Sequence, residues 1–288
     1  MKKLLLAAPL AAALLAQDFS KIQVEKVTGG YQFTEGPVWN KEGGFLLFSD
    51  VPASRIMKID DKGTTEFRAP TGKANGNTYD AMGRLLSCES EGRRVIRIDK
   101  KGAIEVLADK WEGKRLNAPN DIVVRKDGHI YFTDPAFGNQ ADTRELDFYG
   151  VYHIPPKGPM ELIAKPKGRP NGIAFSPNGK LLYVANTDDR NVVAYDIDKN
   201  GKASGERVLI SGIEGPPDGI RVDEKGNLWI TCKGLAIYTA EGKFLTMIEL
   251  PEAPANCAFG DADLQTLYIT ARTSVYRIRL DVKGSVQY

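Results

Sequence analysis

One type of segment recurs six times along the chain, and that repetition constrains the fold more than any other feature. FLLFSD (45–50), RLLSCE (84–89), IYFTD (130–134), LLYVAN (181–186), LWITC (228–232) and LYITA (267–271) are short apolar runs that close on a small or hydroxyl-bearing residue. Taken as equivalent, Ser49, Cys88, Thr133, Ala185, Thr231 and Thr270 stand 39, 45, 52, 46 and 39 residues apart. Most follow a glycine-containing turn, and most precede a second strand such as RVIRID (94–99), with period-two alternation. A period near 45 with several strands and no amphipathic helix predicts an all-β, six-bladed β-propeller with four-stranded blades. The last repeat ends after its third strand, SVYRIRL (274–280), whereas IQVEKV (22–27) belongs to no other blade. That N-terminal segment is expected to pair as the outer strand of the last blade, closing the ring and covering two free edges. Residues 17–288 then form one domain with no internal boundary.

The first sixteen residues stand apart. MKKLLLAAPLAAALLA places two lysines before an apolar run and small residues, the layout of a secretory signal peptide. The run is too short to span a bilayer with tilt to spare. Ala16 or Ala13 suits the cut, no Cys follows for lipid attachment, and a periplasmic or secreted protein is expected. Removing Lys2 and Lys3 from 39 bases against 37 acids leaves 37 of each. A neutral chain has no electrostatic footprint for nucleic acid or anionic lipid. No later stretch is long and apolar enough to cross a membrane, and a monomer acting on a small molecule is expected. Cys88, Cys232 and Cys257 are an odd number with no CxxC spacing and read as buried free thiols.

The innermost strands begin alike: EGPVW (35–39), NGNTYD (75–80), NDIVV (120–124), NGIAF (171–175), DGIRV (218–222) and NCAFG (256–260). Their lead residues, Glu35, Asn75, Asn120, Asn171, Asp218 and Asn256, each carry a side-chain oxygen. Turn preference explains one or two of these, but not a carboxylate or carboxamide in all six. In a propeller the six converge on one end of the central channel. Converging oxygens suit Ca²⁺, which accepts carboxylates, amide carbonyls and waters together, and the acids Glu35 and Asp218 match its charge. Zinc would prefer His or Cys, and His129 and His153 lie elsewhere in their repeats and read as surface or packing residues.

A site left open on one side presents a Lewis acid to solvent, beside which Asp218 or Glu35 can act as base or nucleophile. Strand direction places the ends of the second strands at the same mouth, with Glu89, Asp134, Asn186 and Lys233 as rim candidates; Asn117 and Arg272 are further ones. The longest loop there, PAFGNQADTRELDFYG (135–150), reads as a lid.

FTEGPVW, RLNAPND…YFTDPAFG, RPNGIAFSPNGKLLYVANT, PPDGIRVDEKGNLWIT and NCAFG…LYIT together resemble the senescence-marker protein/gluconolactonase (regucalcin-like) family over nearly all of the mature chain, and its bacterial gluconolactonase branch most. The resemblance implies a six-bladed propeller holding one divalent metal (Ca²⁺, or Zn²⁺, Mg²⁺ or Mn²⁺) and hydrolysing sugar lactones. It implies Glu35, Asn171 and Asp218 as metal ligands, Asn120 as a fourth ligand or a substrate contact, and Asp218 as proton donor and acceptor. With the rim candidates added, Asn120, Asn117, Asn75, Asp134, Glu89 and Asn256 are the expected substrate-binding residues.

Two departures touch the rim. Animal-type members have an Arg where this chain has Ala118, and the bacterial branch often has Glu-His where this chain has Glu89-Ser90. Without that guanidinium the pocket is expected to hold its substrate by neutral hydrogen bonds and to prefer neutral lactones. A phosphotriesterase-like hydrolase resembling diisopropyl fluorophosphatase and a non-catalytic, calcium-braced binding propeller are the alternatives.

Overall fold

The computed structural model describes residues 19–286; the expected leader lies outside them. Six four-stranded antiparallel sheets form a six-bladed β-propeller. The inner strands are Thr34–Asn40, Ala74–Tyr79, Ile122–Val124, Pro170–Phe175, Ile220–Val222 and Pro254–Gly260 in blades one to six. Each is followed outward by its neighbours in chain order, except in blade six, whose outer strand comes from the N-terminus.

Alternate residues of a strand point to opposite faces, and here both faces are covered by a neighbouring blade. The apolar core therefore divides into six clusters, one per seam. Leu86, Val95, Ile122 and Phe132 join blades two and three, for example, and Ala194, Ile220 and Ile230 join blades four and five. Trp39, Phe48 and Val275 complete the circle between blades one and six. Fully burying one such side chain stabilises the fold by roughly 1.5–3 kcal/mol.

The hydroxyl that closes the repeated segment has a structural cause. Ser49 Oγ donates to the carbonyl of Asn75 at 2.8 Å, Thr133 Oγ1 to that of Asn171 at 2.7 Å and Thr231 Oγ1 to that of Ala255 at 2.7 Å. Each ties one blade to the inner strand of the next. Where the repeat has Ala185, Thr187 Oγ1 takes over and donates to Pro217 O at 2.9 Å. The glycine after several lead residues serves the same joint. Gly172 N–H donates to Asp218 O at 2.9 Å, and a Cβ there would stand 2.2 Å from that oxygen.

The closing strand is Glu25–Gly29, antiparallel to Ser274–Arg279, with Glu25 opposite Arg277 and Gly29 opposite Ser274. The expected closure holds, but the ladder runs further along the chain than 22–27. Ile22 and Val24 instead pack with Phe19 against the core between blades five and six. Their alternation reports apolar contact rather than strand pairing.

At the end of the channel away from the lead residues, the C-terminal segment crosses blades five and six. Glu224 N–H donates to Lys283 O, Gly284 N–H to Leu264 O and Ser285 N–H to Val222 O, at 2.8 to 2.9 Å. Ser285 and Val286 line a narrow cavity there with Arg221. The three cysteines are free and buried. The two histidines are both buried and face each other, His129 Nδ1 lying 2.7 Å from His153 Nε2, so they are packing residues and not surface ones.

Candidate active site at the channel mouth

The other end of the channel opens into a chamber of about 280 Å³. Five lead residues line it: Glu35, Asn75, Asn120, Asn171 and Asp218. They come from the inner strands of blades one to five or the turns that enter them, so the blade period brings them together. Phe33, Val51, Lys73, Ser90 and Ala118 complete the walls, and Phe137 and Gln140 reach in from the long loop.

Hydrogen bonds aim this floor. Glu35 Oε2 accepts from its neighbour Gly36 N–H at 2.8 Å and from Asn256 Nδ2 at 3.1 Å. Asn171 Nδ2 donates to Thr187 Oγ1 at 3.2 Å, while Asn171 Oδ1 and Asn75 Oδ1 are buried without a hydrogen-bond partner. Burial pushes the Glu35 carboxyl up, against the Gly36 N–H, and Asp121 adds to the rise. Burial also pushes Asp218 well above the usual carboxylate range, and Glu35 and Asp121 push it further. Asp218 is nonetheless partly open to the chamber. Two acids that resist ionisation and two orphaned amide oxygens form a donor set that a cation would complete.

Four expected substrate contacts lie elsewhere. Asn256 is buried behind Glu35, with its Oδ1 accepting from Cys257 N–H at 2.9 Å, so it orients a floor residue and does not line the chamber. Asp134 accepts the N–H groups of Asn117 and Ala118, both at 2.8 Å. Asn117 donates to Asp134 O and Phe148 O. Glu89 is fully buried between Arg68 and Arg94. The physical reason is common to the acids. At the end of a second strand the side chain turns between blades to buckle an incoming loop or meet an arginine. Asp50 does the same for Gln32 and Phe33 N–H. Lys233 pairs with Glu214 on the surface.

The long loop contains a 3-10 helix, Gly138–Thr143. Arg93 anchors it by donating to Thr143 O at 2.9 Å and to Thr143 Oγ1. The Arg169 guanidinium lies 4.5 Å from the centre of the Phe137 ring. Two residues that sequence reasoning passed over matter here. Fully buried Asp121 lies beneath the floor, 3.3 Å from the Arg221 guanidinium. An arginine inside an inner strand, next to the channel, was the available signal for that pair. Lys73 sits in the wall of the chamber, and no repeat position marks it.

The family model described as SMP-30/Gluconolactonase/LRE-like region matches residues 33–273. The chain belongs to this family. A gluconolactonase from Zymomonas mobilis is 35% identical over 293 residues, covering 91% of this chain and 82% of that one. The solved structure of a gluconolactonase from Xanthomonas campestris superposes with a TM-score of 0.85 at 34% identity, covering 93% and 92% of the two chains. A regucalcin from Agrobacterium tumefaciens, described as a calcium-binding protein, shares the fold at 20% identity and a TM-score of 0.76. Among the described residues no three His, Cys, Asp or Glu side chains gather as a metal-binding group. The chamber instead gathers two carboxylates among carboxamides, an all-oxygen set that fits a hard divalent cation.

Proposed function

We propose that the protein is an exported, metal-dependent lactone hydrolase of the gluconolactonase type. The observation that carries this reading is the floor of the open chamber, where Glu35 and Asp218 lie among the orphaned Asn75 and Asn171 oxygens. The Zymomonas and Xanthomonas gluconolactonases support the lactone as substrate. Glu35, Asn171 and Asp218, with Asn120, would hold the cation, and the regucalcin relative favours Ca²⁺. When bound, that ion supplies Lewis acidity toward a carbonyl oxygen. Asp218, the acid partly open to the chamber, takes the proton of the attacking water as its oxygen adds to the lactone carbonyl carbon. The ring C–O bond then breaks, and Asp218 returns the proton to the departing oxygen, giving the open hydroxy acid. Phe137 and Gln140 close over the ring and limit water.

A panel of aldonolactones and a fluorophosphate, assayed with and without chelator and with Ca²⁺, Mg²⁺, Mn²⁺ or Zn²⁺ added back, tests this. Lactone opening that chelation abolishes and Ca²⁺ restores is expected. Faster fluorophosphate turnover would assign a phosphotriesterase, and turnover of neither would leave a binding propeller. Export is tested by cell fractionation and by N-terminal sequencing of the mature chain, which is expected to begin after Ala16 or Ala13.

A further inference from the structure

We infer that Lys73 makes the site selective for lactones bearing an anionic substituent directed at the channel mouth. This deepens the lactone-hydrolase reading and rests on it. Lys73 supplies the cationic side chain among the residues that line the chamber. It also lines a wider outer vestibule of about 730 Å³, which shares Val51, Phe137 and Gln140 with the chamber. A substituent leaving the chamber toward solvent therefore passes Lys73.

The backbone is built to present it there. Lys73 has φ 54°, a left-handed conformation that L residues other than Gly, Asn and Asp seldom adopt. Its N–H donates to Ser54 Oγ at 3.2 Å and its carbonyl accepts from Ser90 N–H at 3.1 Å. Its Nζ lies 2.8 Å from Glu91 Oε1, in a pair whose side chains are 36% and 58% exposed. So exposed a pair is weak, and a substrate carboxylate can take the place of Glu91 at the ammonium. A sugar hydroxyl, lacking charge, competes for it poorly.

The surrounding charge points the same way. A divalent cation would offset Glu35 and Asp218 on the floor. The vestibule sets Lys73, Arg93 and Arg115 against Glu91 and Glu145, one positive charge in excess. Ala118 does remove the guanidinium found in animal-type members, but the expectation of a chamber without a fixed positive charge is corrected: a cation enters from the approach to blade two.

The test compares kcat/KM for glucono-1,5-lactone and for glucaro-1,5-lactone, which has a carboxylate in place of the hydroxymethyl group. The metal-loaded parent, Lys73→Gln, Lys73→Arg and Glu91→Gln are assayed after thermal unfolding shows each to be folded. The parent is expected to favour the carboxylated lactone at least tenfold. Lys73→Gln should cut that ratio at least tenfold through KM, Lys73→Arg should keep it within about threefold, and Glu91→Gln should raise it. A parent ratio near one, or a ratio unmoved in Lys73→Gln, overturns the inference. If the parent opens neither lactone, the hydrolase reading fails, and calorimetry with glucarate and gluconate decides Lys73 separately. Tighter glucarate binding that Lys73→Gln abolishes supports the assignment, and equal binding of the two acids overturns it.

Discussion

At the scale of single residues, the floor of the chamber divides into groups that would touch a cation and groups that hold them. Asp218→Ala deletes a carboxylate at the chamber and is expected to abolish activity and metal binding; Glu35→Gln should weaken binding by removing charge while keeping shape. Asn256→Ala leaves the donor set intact but frees Glu35 Oε2 from its 3.1 Å hydrogen bond. Its metal affinity should fall about tenfold, the scale of lost outer partners. Titration calorimetry of the three variants checks the order, and unchanged affinity in Asp218→Ala would end the metal assignment. Asp134 separates the two kinds of residue from the other side. Burial pushes its carboxyl up to about 7 although two backbone N–H groups donate to it. Asp134→Asn keeps one acceptor for those two donors and should cost about 1–3 kcal/mol, lowering Tm on the order of 5 °C, with metal affinity unchanged. Glu35, Asn75, Asn120, Asn171 and Asp218 were legible in sequence because a lead residue is fixed by the start of its strand. Asp134 and Glu89 were misplaced because a repeat marks the end of a strand without showing which face the last side chain takes.

At the scale of elements, the closing blade shows what patterning reports and what it leaves out. The missing outer strand of blade six was readable from the count of strands, and the segment that supplies it from its position ahead of the first repeat. The register was not, since Ile22 and Val24 carry the alternation while Glu25–Gly29, mostly polar, makes the ladder. A polar edge strand pairs through its backbone, and its side chains leave little trace. The same seam carries a pH-sensitive tie. Glu252 accepts from Thr273 N–H, Thr273 Oγ1, Ser274 Oγ and Tyr276 Oη. Partial burial opposes ionisation, yet these donors, Ser274 first, hold its carboxyl at about 2. A carboxyl depressed on folding stabilises above its unfolded value, near 4.5, and that contribution disappears as pH falls toward 2. Glu252→Gln is therefore expected to lower Tm at pH 7 and to converge with the parent near pH 2. Parallel Tm curves over that range would show that Glu252 does not link blade six to pH.

At the scale of the whole molecule, the ring is held by six apolar seams and by hydroxyl-to-carbonyl ties, each joining only neighbouring blades. The chamber floor is different in kind, because Glu35, Asn120, Asn171 and Asp218 come from blades one, three, four and five. A cation held by these four would tie blade one to blades three, four and five, with which it shares no seam, and would do so at the point where Asp121 raises the pKa of both acids and Glu35 raises that of Asp218 further. Ligand binding to the folded state alone adds stability by mass action, about 2.7 kcal/mol at a free concentration one hundred times Kd. For a chain of this size that is a rise in Tm of roughly 5–10 °C. Chelation of the full protein should reverse the rise, re-addition of Ca²⁺ should restore it, and Asp218→Ala should show neither change. The variant also removes part of the carboxylate repulsion on the floor, so its chelated form should unfold no lower than the chelated parent. A parent whose Tm ignores both chelator and Ca²⁺, in the presence of lactone turnover, would place the ion outside the fold's stability and leave the seams alone to hold the ring.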